Sequence, residues 1–348
     1  MPGILVAALI AALITMAVTP AVKRWSEKMG AIDQPEARRV NVMPIPRAGG
    51  VAIAVGFFCS VIFAVSVRQF SRPGQHTWSM QVIGILVAAL FLCLVGLVDD
   101  FKNLKAKWQA LAIAGSGLIL CAFGVRIEGL GNVLPFTSSF SWHPLSVGLS
   151  VFITVVWVFV VTKTVDAIDG LDGLAAGVCA ICASSLAIVS VQLHRPEFAT
   201  LALIAAALTG ACIGFLRYNY NPAKIIMGTI GSWLLGFILA AISILGAFKA
   251  AAAVSFVVPV FVMGVPIFDY AHVLGRRFVE GAPLTQADKR HLHHRLLARG
   301  LTQRQVVWCI YGVTAILCTI ALTLFHAQRP AVAPKTPGSA HTSGTKAP

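Results

Sequence analysis

The feature that most constrains this chain is a series of long apolar runs that recurs along it. A helix needs about 20 apolar residues to cross a bilayer core of roughly 30 Å. Ten runs approach or reach that length, and polar segments separate them. We therefore predict an all-α integral membrane protein with about ten transmembrane helices. The runs cover residues 3–22, 49–67, 80–98, 108–124, 145–162, 173–193, 198–216, 231–248, 250–268 and 306–326.

The composition excludes an ordinary soluble domain. Only 11% of the residues are charged and 57% are hydrophobic, with a mean hydropathy of +0.83, whereas soluble domains carry about 25% charged residues. The first run lacks the basic leader and small-residue cleavage pattern of a signal peptide, so we expect it to remain as a span. We predict one transferase-like domain over residues 1–326 and a disordered tail over 327–348, where Ala, Pro, Gly, Ser and Thr dominate.

Basic residues are unevenly shared between the two sets of loops. Loops 23–48, 99–107, 163–172, 217–230 and 269–305 together hold 19 of the 27 Lys and Arg residues. Basic loops remain cytoplasmic, so these loops should face the cytoplasm and both termini should lie outside. The same bias, with attraction to anionic lipid, accounts for the net charge of +14 without a nucleic-acid partner.

Two features outside the basic loops do not indicate a catalytic site. The eight cysteines all fall in apolar runs and are expected to be small buried hydrophobes. Cys179 and Cys182 form a CxxC pair, but no second pair is near in sequence, which disfavours zinc. The outside segment between the fourth and fifth runs shows some alternation, which predicts a short hairpin.

The acidic stretch DAIDGLDG, Asp166 to Gly173, lies between two apolar runs. Asp166, Asp169 and Asp172 are three residues apart, so on a helix they would share one broad face. Gly170 and Gly173 would end that helix or let a phosphate approach the backbone. Asp172 alone could simply cap the sixth span. Three carboxylates together favour an active site.

The third span ends in an adjacent carboxylate pair, Asp99 and Asp100. The helix dipole already places negative charge at that end, so the pair needs a compensating cation. Lys102, Lys105 and Lys107 could supply it, or a metal ion could. A pair that merely marks the end of a span is the simpler interpretation.

Three further cytoplasmic loops carry polar motifs. PIPRAGG ends the first loop and could be only a polar connector, while NPAKIIMG forms a glycine-flanked turn. The last loop contains HLHHRLL, with further arginines around it. That cluster could bind zinc or form a solvated basic face, but the arginines favour an anion such as a diphosphate.

No predicted span carries a charged residue deep in its core, which disfavours a transporter or channel. Instead, polar motifs from five loops should meet at one membrane face. Carboxylates beside basic side chains and glycine turns suit a phosphorylated substrate, with a hard metal bridging phosphate oxygens. We therefore predict a membrane enzyme with a lipid as one substrate.

The motifs, in this order, resemble the polyprenyl-phosphate N-acetylhexosamine-1-phosphate transferases. The resemblance runs from about Asp33 to Ala321 and includes PIPRAGG, the Asp99–Asp100 pair, DGLDGLAAG, NPAKIIMG and HLHHRLL. It implies transfer of a sugar-1-phosphate from a UDP-N-acetylhexosamine to polyprenyl phosphate with release of UMP, the initiating step of a cell-envelope polysaccharide. The HLHHRLL form is more similar to the N-acetylglucosamine branch. A bacterial inner membrane is implied, and a homodimer is left open.

The resemblance also implies roles for individual residues. Asp99 and Asp100 would be the catalytic carboxylates, with Asp99 positioning or deprotonating the lipid phosphate. Mg²⁺, or Mn²⁺ in its place, would lie among Asp100, Asp166 and Asp169. The residues implied to bind the substrates are Arg47, Asp172, Asn221, Lys224, His291, His293, His294 and Arg295.

The chain departs from the family pattern at four positions. Lys163 and Asp166 stand where the pattern has asparagines, Thr229 where it has a metal-binding Asp, and Asn41 where it has a His. In one interpretation, Asp166 supplies the carboxylate missing at 229 and activity survives in rearranged form. In the other, Lys163 lowers the affinity for metal and the protein is a weak or inactive paralogue that still binds nucleotide or lipid.

Overall fold

The computed structural model describes residues 2–33, 44–71, 77–131, 142–193, 196–246, 257–280 and 291–327. Asn41, Arg290 and the tail from 328 to 348 lie outside these residues, so the predictions for them stay predictions. The helices are α1 Pro2–Lys28, α2 Gly50–Ser71, α3 Met80–Lys102, α4 Ala106–Ala122, α5 Val147–Ile168, α6 Leu174–Gln192, α7 Pro196–Asn219, α8 Gly228–Gly246, α9 Val257–Val262, α10 Gly264–Glu280, α11 Leu292–Ala298 and α12 Gln303–Ala327.

The predicted all-α membrane architecture is confirmed. Eight helices in the described part of the chain are long and apolar enough to cross a membrane, and α4 is a shorter apolar helix. The ninth predicted run differs, because helix α9 ends at Val262 and α10 begins at Gly264. Pro266 explains the break, since its ring would clash with the carbonyl group of residue 262 in a continuous helix.

Helix α8 lies at the centre of the bundle. Every one of its residues is buried, and it packs against α2, α3, α5, α6 and α7. Glycines permit these close approaches. A Cβ atom on Gly236 would lie 2.7 Å from the Cα atom of Thr162, and one on Gly50 would lie 2.2 Å from the backbone nitrogen of Gly231. Close backbone packing of this kind is a usual way for membrane helices to associate.

Helices α1 and α7 form a second close contact. Gly210 and Gly214 lie four residues apart on α7, and Cβ atoms there would come within 1.9 Å of the Ala8 carbonyl oxygen and 2.3 Å of the Ala12 carbonyl oxygen. A Gly-x-x-x-Gly pair of this kind lets two helix backbones meet. This contact fixes α1 beside the helices that carry the polar loops.

Two short antiparallel ribbons complete the described structure. Strands β3 Gly129–Gly131 and β4 Trp142–Pro144 form the predicted hairpin. Strands β1 Ile32–Asp33 and β2 Ile45–Pro46 form a second ribbon that the sequence did not indicate. Beyond β2 the chain runs beside the loop before α8, where the N–H of Gly49 donates to the Ile226 carbonyl over 2.9 Å.

The eight cysteines are all free thiols. Five are buried, as predicted, and Cys121 is half-buried. The expectation of burial was wrong for Cys59 and Cys309, which are exposed on the outer surface of the bundle. Apolar residues of a membrane protein can lie on such a surface, so position in an apolar run does not by itself imply burial.

Candidate active site

The carboxylate of Asp100 is compensated by groups that are distant in sequence. Its oxygens accept hydrogen bonds from the backbone N–H groups of Thr229 (2.7 Å) and Ile230 (3.2 Å) at the start of α8. The Nε atom of Arg47 lies 2.8 Å from Oδ1. A helix N-terminus and a guanidinium both stabilise an anion. Lys102, one of the cations that the sequence suggested, is exposed instead.

Asp99, which is also buried, accepts three hydrogen bonds. Its Oδ1 atom accepts from the backbone N–H of Leu104 (2.8 Å) and from Nε2 of Gln109 (3.0 Å). Its Oδ2 atom accepts from the Thr229 hydroxyl over 2.7 Å. The carboxylate pair at the end of α3 is therefore a built polar site, rather than the simple end of a span.

Arg47 connects the first loop to this pair. Besides Asp100, its guanidinium donates to Oγ1 of Thr229 (3.1 Å) and to Oδ1 of Asn103 (3.4 Å). Its backbone N–H donates to the Ala31 carbonyl over 2.8 Å, which fixes the residue next to strand β2. The PIPRAGG segment thus delivers a cation to the site and is more than a connector.

Gly228 allows the loop before α8 to approach Asp100. Its φ angle is +68°, and a Cβ atom there would lie 2.6 Å from Oδ2 of Asp100. Only glycine adopts this backbone conformation readily and leaves room for the carboxylate. The glycine that ends NPAKIIMG therefore allows the Asp100 carboxylate to approach the backbone.

Asp166 lies at the end of α5 and is bound on both oxygens. Its Oδ1 atom accepts from the hydroxyl of Ser232 (2.7 Å), and its Oδ2 atom lies 2.8 Å from Nζ of Lys163. Lys163 also donates to Oε1 of Gln109 over 3.1 Å. The described contacts of Asp166 on α8 are with Ser232, one turn beyond Thr229. Asp166 thus does not take the position of a carboxylate at 229.

Asp169 caps the C-terminus of α5 and is half-buried. Burial, together with the nearby Asp166 carboxylate, raises the pKa of Asp169 to about 8 despite the opposing charge of Arg47. Asp100 and Asp172 add to this rise. The acidic stretch and the pair at the end of α3 are therefore close enough to influence one another.

Asp172 is buried and holds the loop after α7. Its Oδ2 atom accepts from Nδ2 of Asn221 and from the backbone N–H of Ala223, each over 3.0 Å. Helix α6 begins after Gly173, whose φ angle is +80°, and no side chain caps it. Asp172 thus positions the loop that contains Asn221, instead of capping the sixth span.

The histidine cluster reaches the acidic stretch through His293. This buried ring packs so closely on Gly170 that a Cβ atom there would lie 2.7 Å from Nε2. Burial, and then the neighbouring His294 and His291, lowers the pKa of His293 to about 3. At neutral pH this ring is an uncharged hydrogen-bonding group, so it does not add positive charge to the cluster.

Asp269 of α10 positions this cluster, and no sequence motif pointed to it. Its Oδ1 atom accepts from the backbone N–H of Leu292 (2.7 Å), and its Oδ2 atom lies 2.9 Å from Nδ1 of His291. Gln109 and Ser232 were also missed. A polar residue among the first five of an apolar helix was the available signal for both.

The structure thus brings together Arg47, Asp99, Asp100, Asp166, Asp169, Asp172, Asn221 and His293 at one end of the bundle. Lys224 and Arg295 have exposed side chains, and the described contacts do not connect them to the acidic residues. His291 is held by Asp269, and the His294 ring packs 4.3 Å from that of His293. The site therefore combines buried and half-buried carboxylates, the guanidinium of Arg47 and the ammonium group of Lys163 with a histidine flank.

Known proteins of similar sequence indicate the family of this chain. Residues 82–247 match the model of the family described as glycosyl transferase family 4. The chain is 34% identical over 322 residues to a probable undecaprenyl-phosphate N-acetylglucosaminyl 1-phosphate transferase of Bacillus subtilis, which covers 92% of this chain and 85% of that protein.

Two further relatives extend the comparison. A decaprenyl-phosphate N-acetylglucosaminephosphotransferase of Mycobacterium tuberculosis is 33% identical, over 84% of this chain and 75% of its own length. An undecaprenyl-phosphate alpha-N-acetylglucosaminyl 1-phosphate transferase of Escherichia coli is 24% identical, over 86% and 78%. With relatives this similar over most of both chains, this protein belongs to glycosyl transferase family 4.

Proposed function

We propose that this protein transfers N-acetylhexosamine-1-phosphate from a UDP-sugar to polyprenyl phosphate and releases UMP. The observation that carries the proposal is similarity along nearly the whole chain to a protein named for this type of transfer. N-acetylglucosamine is the favoured sugar, since the three relatives described above are named for it. The product would begin a cell-envelope polysaccharide.

The proposed reaction is a substitution at phosphorus. An oxygen of the polyprenyl phosphate forms a bond to the sugar-linked phosphorus of the nucleotide sugar. The bond from that phosphorus to the oxygen it shares with the uridine-linked phosphate breaks, and its electron pair leaves with UMP. Such reactions depend mainly on positioning and on neutralising charge.

The described residues suit these two tasks. Arg47 lies beside Asp100 and Thr229 and can face phosphate oxygens with the remaining part of its guanidinium. Asp99 holds the Thr229 hydroxyl and thereby orients the start of α8. His293, uncharged at neutral pH, can donate a neutral hydrogen bond at the flank of the site.

The resemblance implied Mg²⁺, or Mn²⁺ in its place, at Asp100, Asp166 and Asp169. The side chains do not fit that role. In the described part of the chain, no group of three His, Cys, Asp or Glu residues is arranged to hold a metal ion. Asp100 is bound to Arg47 and Asp166 to Lys163. No step of the proposed mechanism is therefore assigned to a metal.

We also propose that the site faces the cytoplasm of a bacterial inner membrane, with both termini outside. The protein is a multi-pass membrane protein, and its polar residues gather at the end of the bundle where the most basic loops begin and end. Basic loops favour the cytoplasmic side. A cytoplasmic site would meet the nucleotide sugar where such compounds are made.

A weak or inactive paralogue is not favoured, because the relatives that match most of this chain are named as transferases. The deciding experiment is UMP release from UDP-N-acetylglucosamine by the purified chain in detergent with polyprenyl phosphate. We expect release that depends on the lipid and that Asp99→Asn lowers strongly. Absence of lipid-dependent UMP release, with and without divalent cations, would overturn the proposal.

A further inference from the structure

Six residues at the site form a closed ring of polar contacts, with one link through a backbone carbonyl group. The Thr229 hydroxyl donates to Asp99, and Asp99 accepts from Gln109. Gln109 accepts from Lys163, and Lys163 pairs with Asp166. Asp166 accepts from the Ser232 hydroxyl, which also lies 3.3 Å from the Thr229 carbonyl oxygen and so closes the ring.

Three members of this ring are among the four positions at which the chain departs from the pattern that the resemblance implies. Lys163, Asp166 and Thr229 replace two asparagines and one aspartate. The pattern would place one negative charge on these three positions, whereas here Lys163 and Asp166 cancel and Thr229 is neutral. The three departures therefore act as one unit, since their side chains are joined by hydrogen bonds.

Lys163 lies in a place suited to a fixed cation. Its side chain is 19% exposed and that of Asp166 is 27% exposed, so the pair is partly shielded from water. The Nζ atom also lies 5.6 Å from the centre of the Trp233 ring, a cation–π distance. Arg47 pairs with Asp100 in the same way that Lys163 pairs with Asp166. Two of the three carboxylates predicted to bind a metal therefore already have a cationic partner.

A divalent cation at this site would have to displace a lysine and an arginine from partly or fully buried carboxylates. It would also lack the carboxylate ligand that the family pattern supplies at position 229. Hard cations such as Mg²⁺ and Mn²⁺ bind through carboxylate oxygens, and affinity rises with the number of charged ligands. The ring therefore removes both the charge and the ligand that a metal needs.

We propose that Lys163, held in this ring, neutralises Asp166 in the way that a bound divalent cation would, so that this protein handles its diphosphate substrate without a metal between Asp100, Asp166 and Asp169. The substrate part of this inference rests on the proposed function. The metal-binding part does not, because it concerns only the charges and possible metal ligands of the protein without bound substrate.

The test measures Mn²⁺ binding by electron paramagnetic resonance on the full chain in detergent, without substrate. The comparison is between the wild type and the triple variant Lys163→Asn, Asp166→Asn and Thr229→Asp, which restores the family pattern. We expect the triple variant to bind Mn²⁺ at least about tenfold more tightly than the wild type. Equal affinity, or tighter binding by the wild type, would overturn the proposal.

Two single variants keep the test informative if the triple variant does not fold, and control for a general effect of charge. Lys163→Gln removes the cation and keeps a hydrogen-bonding side chain, so it should also raise the affinity for Mn²⁺ even if the triple variant does not fold. Lys102→Asn removes an exposed lysine from the same end of the bundle and should leave the affinity unchanged. An equal gain in both single variants would show a general charge effect and contradict a specific role for Lys163.

Activity separates this inference from the proposed function. Wild-type UMP release should persist with a strong chelator present, whereas the triple variant should need Mn²⁺ or Mg²⁺. If a chelator abolishes wild-type release and Mg²⁺ restores it, the inference fails while the transfer reaction stands. If the wild type never releases UMP, the transfer reaction fails, and Mn²⁺ binding still decides the role of Lys163.

Discussion

The hydroxyl of Thr229 donates a 2.7 Å hydrogen bond to Oδ2 of Asp99, although the two residues lie 130 positions apart. The same hydroxyl accepts from the Arg47 guanidinium. A residue of this small size thus joins the end of α3, the start of α8 and the first loop. Where the resemblance implies a carboxylate, this chain has a neutral hydroxyl that links the Asp99 carboxylate to the Arg47 guanidinium.

Substituting this link should cost both activity and stability. Thr229→Val keeps the shape but leaves a buried Asp99 oxygen without its donor, so we expect a loss of about 1–3 kcal/mol in the free energy of unfolding and strongly reduced UMP release. Thr229→Ser keeps the hydroxyl and should stay near the wild type. Thermal unfolding and UMP release measure the two effects, and equal behaviour of the two variants would contradict this role.

The approach of Gly228 to Asp100 can be separated from its backbone conformation. Gly228→Ala should lose roughly 1–2 kcal/mol of stability through its positive φ angle and should also push Asp100 away, abolishing UMP release. Gly30→Ala is the matched control, because Gly30 has a φ of +71° with nothing within 4 Å of an added Cβ. It should lose similar stability and keep its activity. Loss of activity in both variants would assign the effect to strain alone.

Asp269 should act by positioning the histidine cluster. Asp269→Ala removes the acceptor for the Leu292 N–H and the partner of His291, so we expect reduced UMP release and a raised KM for the nucleotide sugar. Asp269→Asn keeps an acceptor oxygen for Leu292 and should lose less. Steady-state kinetics show whether Asp269→Ala loses more activity than Asp269→Asn. The same loss in both would show that the negative charge, not the helix start, matters.

The buried His293 ring should make stability depend on pH. Because burial lowers its pKa to about 3, the unfolded chain binds a proton below pH 6.5 that the folded chain does not. Stability should therefore fall as the pH drops below 6.5, by at most about 1.4 kcal/mol per pH unit for this group. His293→Gln should flatten thermal stability between pH 5 and 7, whereas His272→Gln, at an exposed position, should not.

The membrane architecture could be predicted because it depends on local composition. An apolar run of sufficient length has to bond its own backbone in lipid, and only a helix or a closed barrel does so. The break between α9 and α10 was hidden in the ninth run, since Pro266 and Gly264 lie within otherwise apolar residues. The β1–β2 ribbon pairs segments separated by residues 34–44, and no local pattern indicated it.

Part of the site could also be predicted from local composition. Asp99, Asp100 and the stretch from Asp166 to Asp172 stood out because carboxylates are costly beside long apolar runs. Their pairings could not be predicted, because Arg47 and Ser232 meet these carboxylates only through the packing of the fold. Charge compensation between distant loops is a property of the fold, so the sequence suggested nearby lysines for Asp100 and the structure shows Arg47.

The transfer reaction can be tested directly by following the phosphorus atom next to the sugar. UDP-N-acetylglucosamine labelled in that phosphate is incubated with the purified protein and polyprenyl phosphate, and the label is counted in the lipid and aqueous fractions. Transfer of the sugar-1-phosphate predicts label in the lipid and unlabelled UMP in water. Label that stays in a soluble nucleotide, whether or not sugar reaches the lipid, would contradict the account.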